Sequence, residues 1–363
     1  MSRRNKSGFI LPLTLSLIGL AMALVIYMVN NGRAFSPSAK IMIEREKARM
    51  LARSGIEIAM SQLSIPDKNT QAPKATDAKE TAAEKESAPE QKEKQKETLF
   101  SFIVPRINTW QTFSLKRAVE GMQGEIGVCI MCEEGKLDLN ELYDPETGKL
   151  TNDALNGIMN VVFERMQKTV GGTELRKSFE KFLKERKTKL DDVTELLTIK
   201  EFAAWKDTMF YNPPEKGASK QSKASLYLTD IFTVCSGKKT VQPWLLSDSL
   251  RGIFEVSRVK DSPLEEKKKA FAELNKSVPA ALNWPDGWNK YLKAWYGKEF
   301  AALPKGIETL LDTKFEPVIF SVLCYGKVGK TTQKLFAIVE RIKTSAEKDK
   351  PVWNVKLKKM YWL

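Results

Sequence analysis

The sequence predicts an α+β chain. A long amino-terminal helix, part membrane span and part stem, leads into an α/β domain with an antiparallel sheet and an inserted, mostly helical domain. Three observations carry that prediction. Residues 9–29 are 21 positions without a charge, about the length of a membrane-crossing helix. Beyond them, small and apolar residues recur at three- and four-residue spacing. Strand-like patterning then occurs twice, around 110–132 and in 313–363, with helix-period text between the two stretches.

A basic leader, residues 1–8, carries Arg3, Arg4 and Lys6 and ends at Gly8; the apolar run opens at Phe9. The run is too long for the h-region of a secretory signal. Positive charge on this flank keeps the amino terminus cytoplasmic and sends the rest of the chain across the membrane. Residues 9–29 are therefore read as a transmembrane helix and residues 30–65 as its amphipathic continuation. In that stem Ala48, Leu51, Ala52, Gly55, Ile56, Ala59 and Leu63 fall on one stripe. Residues 66–97 hold no Leu, Ile, Val, Met or aromatic residue. Such a stretch cannot bury enough apolar surface to offset the entropy of ordering it, so it is read as a disordered low-complexity loop.

Residues 98–135 supply the first strands, in "WQTFSLKRAV" and "GEIGVCIMC". Residues 136–312 form the inserted domain. It opens on the turn-rich "GKLDLNELYDPETG" and continues with a helix marked by Leu155, Ile158, Met159, Val162, Phe163 and Met166. Helical text follows in "TELRKSFEKFLKERK" and "DDVTELLTIKEFAAW", and again over 263–312, interrupted there by "NWPDGWNKYLKAWYG". Residues 313–363 return to strands. Two apolar runs flank a Gly-Lys-Val-Gly turn, and the last segment alternates Trp353, Val355 and Leu357 with Asn354, Lys356 and Lys358, as a lysine-protected edge strand does.

The chemistry on offer is limited. No histidine occurs in the 363 residues, which removes His-based triads and the commonest zinc ligand. A formal charge of +14 favours anionic surfaces, but the lysines are scattered among glutamates, and without a compact basic and aromatic stripe no nucleic-acid partner is expected. "GKVGKTT" is no P-loop, because Cys324 stands where the first glycine belongs and the segment lies between strands. In "CIMC" the strand period sends Cys129 and Cys132 to opposite faces, which argues for small buried residues over a mutual disulfide. Asp138, Asn140, Asp144 and Glu146 are hard oxygen ligands of the kind that bind calcium. Leu142 breaks the EF-hand pattern, and a turn with a helix cap is the preferred reading of these four residues.

Several stretches now point the same way. "GFILPLTLSLIGLAMAL" resembles the class III signal of type IV pilin-like proteins, in which prepilin peptidase cuts after the glycine, here Gly8, and the new terminal residue, here Phe9, is methylated. "EREKARMLARSGIEIAMSQL", "GKLDLNELYD", "LTDIFTVCSGKKTV", "VLCYGKVGKTTQKLFAIVER" and the final "YWL" resemble the minor pseudopilin K family of type II secretion systems, known as GspK. That resemblance implies a pilin-like domain with a helical insertion and no catalytic activity. In pilin-like proteins the fifth mature residue is normally a glutamate that pairs with a neighbour's terminal ammonium inside the membrane, where an unpaired charge is costly. K subunits lack that glutamate, and in this chain Leu13 takes its place.

The expectation is thus a minor pseudopilin in a bacterial inner membrane, its main domain periplasmic, capping and initiating a pseudopilus. Its expected partners are other minor pseudopilins, the secretion machinery and prepilin peptidase. Leu13 and the stripe of Ala48, Leu51, Ala52, Ile56, Ala59 and Leu63 are expected to serve helix assembly, and no cofactor is required. Two other readings stand beside it: a minor pilin of a type IV pilus, and an anchored exterior protein that binds DNA or another polyanion.

Overall fold

The computed structural model describes residues 10–64, 88–170, 174–210, 226–256, 264–276, 283–345 and 351–363. Helix α1 spans Ile10–Leu63 and α2 spans Ala88–Ile103. Strands β1 (Trp110–Leu115) and β2 (Gly124–Cys132) follow, then helices α3 (Asn156–Val170), α4 (Leu175–Arg186), α5 (Asp248–Phe254) and α6 (Leu264–Lys276). The chain closes with β3 (Ile319–Val328), β4 (Thr331–Ser345) and β5 (Pro351–Trp362). The five strands make one antiparallel sheet in the order β1-β2-β3-β4-β5. Its strands come from both sides of the helical segments, so the fold is α+β.

α1 lies along the sheet, and glycines let it come close. A Cβ on Gly326 of β3 would sit 2.0 Å from the carbonyl oxygen of Ala48 and 2.7 Å from the Leu51 Cβ. About two turns beyond Ala48, a Cβ on Gly55 would meet the Cys324 sulfur at 2.9 Å. Cys324 is therefore a small spacer between helix and sheet, as expected of a buried cysteine. β3 and β4 are joined by a two-residue turn opened by Gly329 at φ 58°, the sign that a II′ hairpin turn requires at its first central position. The Gly-Lys-Val-Gly stretch is thus only partly a turn: Gly326, Lys327 and Val328 stay in the strand, and Gly329 does the turning.

One core cluster runs from the α1 stripe through Val128, Ile130 and Cys132 on one face of β2 and into the helical segments at Phe163, Phe179, Trp205 and Phe232. The other face of the sheet has a smaller cluster of Cys129, Met131, Leu323 and Phe336. Cys129 and Cys132 do face opposite ways. β5 is tied to the helical segments from this second face, where Lys359 and Tyr361 both reach Asp192.

The helical segments depart from expectation in three places. The loop predicted over 66–97 becomes helix at Ala88, while residues 66–87 lie outside the described residues. Its polar first half is rich in good helix formers, and its last turns carry Phe100 and Ile103, both buried. Phe100 stacks on Phe271 of α6 at 4.2 Å and meets Trp244 edge-on at 5.2 Å, so tertiary packing holds what composition alone would leave loose. "DDVTELLTIKEFAAW" forms 3₁₀ turns, Val193–Thr198 and Lys200–Thr208, instead of an α-helix. The buried residues Val193, Leu196, Ile199, Phe202 and Trp205 are three apart, the spacing that lines up on one face of a 3₁₀ turn. The tryptophan-rich stretch does not interrupt the helical text: Trp284–Gly287, a π turn at Trp288–Leu292 and Lys293–Tyr296 run on from one another, with Pro285 in the first turn, where its missing N–H costs nothing.

Among the described residues no helix is long and apolar enough to cross a membrane. The predicted 9–29 span is described with side chains only from Thr14 onward.

Candidate functional site

α1 changes surroundings along its length. From Thr14 to Val29 every side chain is exposed, the large apolar ones between 47% at Val29 and 71% at Leu20. Ile41, Met42 and Ile43 are exposed as well. At Ala48 the helix enters the core, and from there to Leu63 one face is fully covered. Covering a side chain such as Leu or Ile is worth about 1.5–3 kcal/mol, so the uncovered run is a large unspent driving force for association. No residue of this chain competes for it among those described.

The residues assigned to assembly separate accordingly. Gly8 and Phe9 lie outside the described residues, and so does the side chain of Leu13, whose backbone is part of α1. The stripe of Ala48, Leu51, Ala52, Ile56, Ala59 and Leu63 was expected to face neighbouring helices; it is buried against this chain's own sheet. The reason is the near-flat floor that Gly326, Gly124 and Cys324 offer, into which a small-and-large stripe fits at close range. The exposed apolar positions of α1 are the earlier ones.

Three of the four calcium candidates, Asp138, Asn140 and Asp144, have side chains engaged in hydrogen bonds within the protein. The buried Asp138 carboxylate accepts from the Asn140 N–H (3.0 Å), the Ser236 hydroxyl (2.9 Å) and the Gly237 N–H (2.8 Å), capping the short helix Leu139–Leu142. Burial pushes its pKa up, against those donors. The Asn140 side chain bridges loop segments far apart in sequence, donating to the carbonyls of Leu190 and Val234 and accepting from the Leu190 N–H. Asp144 accepts from the Glu146 N–H and the Thr147 hydroxyl, which draws its pKa down, and Glu146 points to solvent. Among the described residues no group of three or more His, Cys, Asp or Glu is placed to hold a metal ion.

Sequence reasoning missed a buried polar seam at the end of β2. Glu133, Glu134 and Lys136 form a turn that is almost fully buried. Lys136 pairs with Glu133 and donates to the Ser321 hydroxyl of β3 at 2.8 Å. Glu134 accepts the backbone N–H groups of Val318 (2.8 Å) and Ile319 (3.2 Å) and the Cys132 thiol (2.9 Å). Arg341 of β4 donates to the carbonyls of Leu63, at the end of α1, and Pro317, and it lies 4.4 Å from the Trp353 ring centroid. Burial pushes the Glu134 carboxyl and the Cys132 thiol up and brings Arg341 down to about 10. The only hint in the sequence is "EEGK" following nine strand residues without a loop. Chemically the seam is a clasp: it fixes the end of α1, the entry to β3 and the start of the helical segments to one another. A Cys132 thiol held protonated by burial is a poor nucleophile.

No family model matches the chain, and no curated protein matches it by sequence. Among solved structures the chain is similar to a chain of the crystal structure of the GspK-GspI-GspJ complex from the enterotoxigenic Escherichia coli type 2 secretion system. The two share 11% sequence identity with a TM-score of 0.39, over 76% of this chain and 96% of that one.

Proposed function

We propose that this chain is a non-catalytic minor pseudopilin of a type II secretion system, anchored in the inner membrane by residues 9–29 and located at the tip of the fibre. One observation carries the reading: a single helix, Ile10–Leu63, that is part of the domain's core from Ala48 to Leu63 and is apolar and uncovered from Thr14 to Val29. That division suits a subunit held among other membrane helices while its domain stands outside. The basic leader with Gly8 and Phe9 adds the processing signal, and Leu13 removes the acid that would seek an upstream neighbour. A subunit lacking that acid is suited to the first position of a fibre.

Gold labelling of the exterior domain on isolated fibres tests the reading. Label confined to one end, with fewer fibres in cells lacking the protein, is the expected result; label along the shaft ends it. Mass spectrometry of the mature protein should find an amino terminus at Phe9, and an intact leader in a host with active prepilin peptidase would contradict the same reading. A minor pilin of a type IV pilus would share these features of the helix and differs in the fibre to which the label goes.

A further inference from the structure

α1 does not cover the whole sheet. Its flank toward β1 is fixed by Gln62, which donates to Gln111 at 2.7 Å. Its opposite flank carries a row of three arginines, bounded by Glu57 one turn beyond the last of them. The Arg49 guanidinium lies 5.4 Å from the Trp362 ring centroid on β5, and helical spacing puts Arg45 and Arg53 one turn to either side of it on that flank. Both are exposed, and among the described residues Arg49 forms its ion pair with the solvent-facing Glu46. Beneath this row lies the helix-side face of β5. Leu357, Met360 and Trp362 stand opposite Val339, Ala337 and Leu335 in the ladder, and those three β4 residues are fully buried under α1. On β5 the same face remains 39%, 41% and 45% exposed, with Leu363 beside it at 44%.

Resting on the assembly reading above, we infer that this groove between α1 and β5 receives an acidic amphipathic helix of a neighbouring subunit. Charge and shape identify the occupant. Three arginines at four-residue spacing run about 12 Å along α1, and carboxylates at the same spacing on a helix lying alongside would meet them in register. The apolar floor asks that the same helix carry Leu- or Met-like side chains next to its acids. An added β-strand would use the backbone edge of β5 and leave the arginine row unmet. Lipid headgroups do not reach the row: Arg45 lies about 24 Å along the helix beyond Val29, whereas the headgroup layer extends only about 5–8 Å past the hydrocarbon.

The test uses the full-length protein in detergent. The probe is a labelled synthetic amphipathic helix with glutamate at every fourth position of one flank and leucines on the adjacent face, compared with the same peptide bearing lysines in place of the glutamates. The glutamate peptide is expected to bind about 10-fold more tightly or better, as like charges across an interface are strongly disfavoured. Arg49→Glu with Arg53→Glu should invert that preference in a protein that keeps its cooperative thermal transition. Arg45→Glu with Arg53→Glu, at the two exposed positions, should weaken it with the melting temperature nearly unchanged, and Trp362→Ala should weaken the glutamate peptide. Equal binding of both peptides, no binding of either, or a preference that survives the charge reversal would overturn the inference. So would a charge-reversal effect seen only on phosphatidylserine vesicles, or only on self-association in sedimentation. The two readings fail separately: absent peptide preference with tip labelling intact removes the groove alone, and shaft labelling with the preference intact removes the tip subunit alone.

Discussion

Gly326 lies directly beneath Ala48: a Cβ at position 326 would fall 2.0 Å from the Ala48 carbonyl oxygen. Because the obstacle is helix backbone, no side-chain rotation relieves it. Gly326→Ala should therefore push α1 off the sheet and destabilise the protein by about 1–3 kcal/mol or more, read as a lower urea midpoint of the detergent-solubilised chain. Gly19→Ala, with nothing within 4 Å of the new methyl group, should not lower the midpoint.

Deleting residues 66–87, replaced by a short Gly/Ser bridge, should leave the melting temperature nearly unchanged, since the segment holds no core-forming side chain and loop length costs little in closure entropy. Extending the deletion through Ile103 should lower it sharply, because Phe100 then no longer fills the space between Phe271, Trp244 and Phe315. Loss of a buried phenylalanine costs about 3–5 kcal/mol. Calorimetry on the two deletions decides the matter; equal melting temperatures would show that α2 contributes nothing.

The sequence was legible where one period ran long enough. Strand β2, the closing hairpin and α3 each carry their pattern within a single element, and the buried set from Ile158 to Met166 follows it. The 3₁₀ turns were read as α-helix because a three-residue repeat and a 3.6-residue repeat differ little over two turns. α2 was missed because Phe100 is held by Phe271 and Phe315, far away in sequence, and nothing near it announces burial. The clasp escaped for the same reason: Glu134 and Lys136 are satisfied by Val318 and Ser321, which no local pattern relates to them. The α1 stripe was read as apolar and small, which is correct, but sequence spacing does not say whether its partner is another subunit or the chain's own sheet.

The clasp makes stability depend on pH. Burial raises the Glu134 pKa above its usual 4.5, so the fold favours the protonated carboxyl. The sign follows from linkage: this contribution is fully present below pH 4.5 and is lost as pH rises through the folded pKa. Glu134→Gln keeps an acceptor for Val318 and Ile319 and cannot ionise. The variant should therefore gain stability relative to the natural chain as pH is raised from 4.5, and the two should converge in acid. Urea midpoints measured across that range test this; a variant less stable at neutral pH and equal in acid would mean that the ionised carboxylate holds the clasp.

The two halves of α1 predict opposite outcomes for a new carboxylate. Ala52 is fully buried between helix and sheet, so Ala52→Glu places an acid in an apolar contact and should unfold the domain. Its loss of co-purification with partner subunits would then be a consequence of misfolding, seen as a lost thermal transition. Leu20 is 71% exposed among the described residues, so Leu20→Glu should leave the domain's melting temperature unchanged. If residues 9–29 are a membrane anchor and the uncovered stretch from Thr14 to Val29 is the assembly surface, the same substitution should abolish co-purification with other membrane subunits, while membrane fractionation still finds the protein inserted, because one acid among many apolar residues costs only about 3 kcal/mol of insertion. Thermal melting and co-purification on the two variants separate folding from assembly. Retained co-purification of Leu20→Glu would return the search for partner contacts to the folded domain beyond Ala48.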